Sequence, residues 1–74
     1  MNFIKITLKS GVEEWVRIDS IKRVREVEND VIIFTEDGAG CRLKDGLRGE
    51  TMPVWLREIG LGTASVEFQG EWVE

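Results

Sequence analysis

A chain of 74 residues with one cysteine, Cys41, and no histidine has nothing with which to staple itself together. A disulfide needs a second thiol, and a structural zinc site needs a set of Cys and His ligands. A domain of this size buries only about 60% of its unfolded surface. Cohesion must therefore come from apolar packing and backbone pairing. The composition permits this: 42% of the residues are hydrophobic, including three Trp and three Phe. A packed single domain over residues 1–74 is expected, and disorder is not.

The same inventory narrows function. The longest uncharged apolar run is Val31-Ile32-Ile33-Phe34, far short of the ~18 residues of a membrane span. The N-terminus lacks the apolar stretch of a signal peptide. A cytoplasmic protein with no membrane partner is expected, and one unpaired thiol agrees with a reducing compartment. Ten Lys and Arg against 14 Asp and Glu leave a formal charge of −4. That field argues against nucleic acid as a partner, although a local basic patch could act against it.

Turn signals set the organisation. Ile4, Ile6 and Leu8 alternate with Lys5 and Thr7, and Val12, Val16 and Ile18 follow Gly11 at even spacing. This predicts a first hairpin over 3–18. A three-residue Lys9-Ser10-Gly11 loop, with Gly in the left-handed region, pairs Ile4 with Val16 and Lys5 with Trp15. A two-residue Ser-Gly turn would pair Ile6 with Trp15 instead, and the first register is preferred. Asp19-Ser20-Ile21 reads as a tight or single helical turn. Residues 21–28 fit a strand or a short helix. The β-branched run Val31–Thr35 needs a neighbour, which favours a strand at 22–28.

Asp37-Gly38, taken as a two-residue turn, places Phe34 opposite Cys41 and Ile32 opposite Leu43. Further on, Thr51 can cap a helix, Pro53 is tolerated in its first turn, and Gly60 lies past its end. Met52, Trp55, Leu56 and Ile59 form one apolar stripe on it. Ala64, Val66 and Phe68 alternate as a last strand that Glu71-Trp72-Val73-Glu74 extends or folds back upon. The expected fold is α+β: an antiparallel meander or open barrel of about five strands, one short helix near 51–59, and a C-terminal strand.

Residues 4 to about 44 resemble the small FlbD-like flagellar and swarming-motility proteins. The resemblance rests on Ile6-Thr7-Leu8, Gly11, Glu14-Trp15-Val16, Asp19-Ser20-Ile21, Val31-Ile32-Ile33-Phe34 and Gly38. It implies two hairpins followed by a helix, and a small regulatory protein with no catalytic residues to transfer. The chain departs from that pattern after position 60, where it carries a Gly-rich turn and a strand-like tail.

Candidate sites follow from these faces. Trp15 lies with Phe3, Lys5, Glu13 and Arg17 opposite Ile4-Ile6-Leu8, and an aromatic ringed by charge has the make-up of a binding hot spot. The competing reading covers Trp15 with the helix or tail and stacks Lys5 on it. Trp72, among Glu67, Glu71 and Glu74, pins the last strand to the core, anchors another chain, or builds a homodimer by edge pairing. Trp55 reads as core. Glu26, Glu28, Asp30, Glu36 and Asp37 crowd two turns expected at one end of the meander. Such carboxylates could imitate phosphates, and in size and charge the chain is similar to small phage inhibitors, including anti-CRISPR proteins. Solvated turns are the bland alternative.

Basic residues gather at Arg17, Lys22, Arg23 and Arg25, then at Arg42, Lys44 and Arg48. The expected register puts Arg42 and Lys44 on one face and Arg25 on the other, which splits the cluster. Glu14 is the only carboxylate on an apolar face, where the sheet margin or an ion pair accounts for it. Cys41 has no His to activate it. Neither Gly38-Ala39-Gly40 nor Gly60-Leu61-Gly62 opens a helix as a phosphate loop would. No catalytic residue, cofactor or metal is therefore expected. The reading is a non-enzymatic interaction module that regulates or inhibits a larger protein, with a DNA-mimicking inhibitor as one form. The alternative is a small β-barrel that binds nucleic acid through a local basic patch.

Overall fold

The computed structural model describes residues 3–61 and 67–73. In chain order these form β1 (Phe3–Thr7), β2 (Glu13–Arg17), a 3-10 turn (Ile18–Ser20), β3 (Ile21–Val27) and β4 (Asp30–Thr35). Then come β5 (Gly40–Lys44), α1 (Met52–Leu61) and β6 (Glu67–Val73). One sheet contains all six strands in the order β2-β1-β6-β5-β4-β3. The α+β class, the helix and the C-terminal strand match the sequence. The sheet is mixed, however: β6 lies inside it, parallel to β1 and antiparallel to β5. Of the expected last strand, Ala64, Val66 and Glu74 lie outside the described residues.

The pairing senses fix a further property. β2 and β6 are respectively antiparallel and parallel to β1, and β5, β4 and β3 then alternate from β6. Strands β2 and β3 therefore run in the same sense, although they sit at opposite ends of the strand order. Only Ile18–Ser20 joins them. Three residues span at most about 11 Å, so the sheet must curl until the end of β2 and the start of β3 come close, while the two edges stay unpaired. The result is an open roll.

The first hairpin has the preferred register, with Ile4 opposite Val16 and Lys5 opposite Trp15. Gly11 takes φ +87°, and its N–H donates to the Leu8 carbonyl at 2.9 Å. The same loop recurs at the β4–β5 tip. Gly38 takes φ +86°, its N–H donates to the Thr35 carbonyl at 2.9 Å, and the Thr35 N–H donates to Ala39 at 3.1 Å. The Asp37 carboxylate accepts from the Thr35 hydroxyl and from the Ala39 N–H. The tip is thus Glu36-Asp37-Gly38, three residues instead of two. This moves the register by one place: Phe34 faces Gly40, Ile33 faces Cys41, Ile32 faces Arg42 and Val31 faces Leu43. The expected Phe34–Cys41 and Ile32–Leu43 pairs do not form.

With that register Val31, Ile33, Cys41 and Leu43 are sealed inside the roll with Ile4 and Ile6. Trp55 and Ile59 of α1, together with Phe68 and Leu47, complete the core. The Trp55 and Phe68 rings meet at 6.3 Å, tilted by 58°. Four residues of the helix were expected to dock. Trp55 and Ile59 are buried and Met52 is half-buried, but Leu56 remains 46% exposed. Residues 55 and 59 share one line along a helix, and 56 lies about 100° around from 55.

β6 reaches its interior place because Gly70 has no side chain. A β-carbon there would stand 2.7 Å from the Arg42 carbonyl oxygen and 2.8 Å from Ile6 Cγ2. One contact is backbone, so the strands themselves would have to move. Gly70→Ala is expected to cost about 3 kcal/mol, the upper part of the range for overpacking. A urea unfolding series against the parent protein measures it.

Candidate interaction surface

Phe3, Lys5 and Thr7 of β1 face Arg17, Trp15 and Glu13 of β2 across non-core positions, so these side chains share the outer surface. The structure brings the sequence-predicted group Phe3, Glu13, Trp15 and Arg17 together. Trp15 is 61% exposed, so it stays open to solvent beside the described helix and last strand. Lys5 Nζ stands 5.8 Å from the Trp15 ring centroid and 2.6 Å from Glu13 Oε2, with Glu67 at 3.9 Å. The Glu13 hydrogen bond and charge, helped by Glu67, raise the Lys5 pKa above its ordinary value. Arg17 pairs with Asp19 at 3.0 Å. A partly exposed indole is thus held in a fixed frame of charge on an edge strand.

The acidic candidates do not form one surface. Glu28 is in the β3–β4 turn, whereas Glu36 and Asp37 are in the β4–β5 turn at the other end of β4. Consecutive turns of a meander lie at opposite ends, and six strand residues separate these by roughly 20 Å. The expectation of one acidic end is corrected accordingly. Asp30 is also committed. It accepts from the Asp45 N–H at 2.7 Å and from Arg42 Nε at 2.7 Å, and these two bonds hold its pKa below the ordinary carboxylate value. Glu36 pairs with Lys22 at 3.2 Å.

Glu71 and Trp72 point to opposite faces of β6. Glu71 takes Lys44 at 3.0 Å and Lys9 at 3.8 Å, and the Lys44 contact lowers its pKa. Trp72 lies opposite Cys41 in register, yet 45% of it is exposed. β6 sits between β1 and β5, but β1 pairs only with its Glu67–Gln69 half, and Trp72 lies on the half that pairs with β5 alone. Among the described residues the outermost strands are β2 and β3.

Two groupings escaped the sequence reading. The corrected register puts Arg25, Ile32 and Arg42 in one row of the outer face, so Arg25 and Arg42 are not on opposite sides. Arg23 and Arg25 both lie over the Phe34 ring, at 4.6 and 5.7 Å. Near the helix, the Glu50 carboxyl stands against Glu58. Burial, followed by that neighbour, pushes the Glu50 pKa up, and its Oε2 is shielded from solvent. A Glu eight residues before another, flanking a helix start, was the available signal.

Cys41 is sealed, and burial raises its thiol pKa to about 11, with smaller contributions from Glu14 and Glu71. Glu14 occupies the margin strand β2, opposite Ile6. No group of three or more Cys, Asp or Glu among the described residues could hold a metal ion. No described helix is long and apolar enough to cross a membrane. No protein-family model, curated protein or solved structure matches this chain.

Two outcomes follow. At pH 8 an aromatic disulfide reagent should label native Cys41 at least about tenfold more slowly than the urea-unfolded chain, because attack needs an accessible thiolate. Stopped absorbance traces with and without urea decide this. Burial and the Glu58 carboxyl raise the folded pKa of Glu50 above its ordinary value, so losing its proton works against folding as pH rises through the raised pKa. Glu50→Gln should therefore raise the melting temperature near pH 7, and the gain should vanish at a pH well below 4.5, where the parent is protonated too. Thermal melts at the two pH values test the sign.

Proposed function

We propose that this protein is a non-enzymatic interaction module that regulates or inhibits a larger protein by presenting the Trp15 face to it. The observation that carries this reading is the 61% exposure of Trp15 within the Lys5, Glu13 and Arg17 frame. Tryptophan is the residue most enriched among interface hot spots, and a pre-ordered one costs little entropy to bury. The chemistry of the remaining side chains agrees. The one thiol is buried and protonated, and Asp30 and Glu36 are engaged in internal pairs. The resemblance to FlbD-like proteins over residues 4–44 implies the same class, a small regulator. The cytoplasm is the compartment proposed, in keeping with the unpaired Cys41.

Trp15→Ala should leave the melting temperature within a few degrees, because an exposed side chain contributes little to the core. The same change should weaken a partner complex by tenfold or more, about 1.4 kcal/mol. Affinity capture from the source cell with parent and variant baits, followed by titration of the recovered protein, measures both halves. A variant that unfolds would make Trp15 a folding residue. A partner bound equally by both baits would take the Trp15 face out of the interface.

A further inference from the structure

We infer that the free edge of β3, from Ile21 to Arg25, is a docking strip for an extended segment of a protein partner in which apolar and acidic side chains alternate. This surface is on the other edge of the sheet from Trp15 and does not depend on the function proposed for that residue. Three observations converge on it.

The first is the edge itself. Among the described residues β3 pairs only with β4, so the backbone groups on its other side have no strand partner. An extended chain can add there by main-chain hydrogen bonds. A β-bulge between Ile21 and Arg23 leaves Lys22 as the extra residue of this edge, without a register partner on β4.

The second is an apolar groove of about 430 Å³ between β3 and α1, floored by Ile18, Ile21, Val24, Trp55, Leu56 and Ile59. Among the described residues no carboxylate lines it, and its charged lips are Lys22 and Arg23. Leu56 is 46% exposed here, on a helix whose Trp55 and Ile59 are buried.

The third is the cation pair on the outer side. Lys5, Lys9, Arg17, Lys22, Arg42 and Lys44 each have a carboxylate within 4.0 Å. Arg23 and Arg25 have none among the described residues. One ring, Phe34, holds both guanidinium groups, at 4.6 and 5.7 Å. Phe34 lies across Gly40, where a β-carbon would be only 3.0 Å from the ring. Two like charges are thus kept adjacent on a fixed support, and a carboxylate would relieve their repulsion with charge-assisted hydrogen bonds.

Strand geometry joins these features into one specificity. An added strand turns alternate side chains to opposite faces. One set would enter the groove and the other would meet Arg23 and Arg25. Large apolar residues suit the first position and Asp or Glu the second. Glu26 and Glu28, both exposed, lie beyond Arg25 and repel acids, which sets the end of the strip. A nucleic acid strand would use the arginines but leave the apolar floor unfilled, so the groove favours a peptide.

The test is selection from a random twelve-residue peptide display library on the full chain, with Arg23→Glu/Arg25→Glu protein as counter-selection. Enriched peptides should alternate acidic and apolar residues. Synthesised, they should shift backbone amide NMR signals of β3 and α1. Leu56→Glu, at an exposed position that keeps the fold intact, should weaken them about tenfold or more, the scale of one well-placed contact. Trp15→Ala should leave their affinity unchanged. Enrichment of no peptide, of peptides without alternation, or of peptides indifferent to Leu56→Glu would overturn the inference. So would tight binding of dT12 or rU12 that fails on Arg23→Glu/Arg25→Glu and falls steeply with salt, which would give the strip to nucleic acid. Pairing of two copies along β3, seen by sedimentation and lost in the charge-reversed protein, would give it to self-association.

Discussion

Everything in this molecule hangs on the last strand filling the slot between β1 and β5. The β1–β2 hairpin pairs with no other strand, so β6 alone connects it to the β3–β4–β5 unit by backbone hydrogen bonds. The partners lie far apart in the chain, as Lys5 opposite Glu67 shows. Closing so long a loop costs entropy before any contact forms, and burial of Ile4, Ile6, Cys41, Leu43 and Phe68 must repay it. Gly70 makes the closure geometrically feasible, since strands pack against both of its sides at distances that exclude a β-carbon. With one cysteine and so no disulfide within the chain, this insertion converts two separately marginal units into a domain.

Local signals in the sequence were read well where one physical cause dominated. Gly11 was legible because a three-residue loop with a left-handed third residue fits a Lys-Ser-Gly tip and aligns two apolar faces. Gly38 obeys the same rule, but the Asp-Gly pair suggested a shorter turn that also gave apolar matches. In a run with four consecutive apolar residues, Val31 to Phe34, face pattern cannot distinguish registers one place apart. The Asp37 side chain decides the matter by bonding to Thr35 and Ala39. The place of β6 left no local trace at all, since parallel pairing with β1 depends on residues more than sixty positions away.

The register error mattered most for reading the surface. Shifted by one, it dispersed Arg25 and Arg42 and hid Phe34 in the core. Correctly placed, Phe34 is the support for two guanidiniums, and Ile32 is covered on the outer face. The Trp15 group was legible because the first register was right. The Asp30 clip was not, because it needs Arg42 and the Asp45 amide from beyond the next strand. Such internal pairs engage Asp30, Glu36, Arg42 and Lys44 among others, and each takes a charge away from the surface a partner would read.

The roll also has a seam, and its chemistry governs how copies of the chain meet. Among the described residues no strand pairs with the outer sides of β2 and β3, the situation in which identical sheets can zip together without end. Lys22, Arg23 and Arg25 put three cations along five residues of one rim, and Glu13, Glu14 and Arg17 punctuate the other. Two β3 rims brought side by side would confront cation with cation. Fibre growth through that contact is therefore opposed by the same side chains that leave the rim open to an acidic visitor.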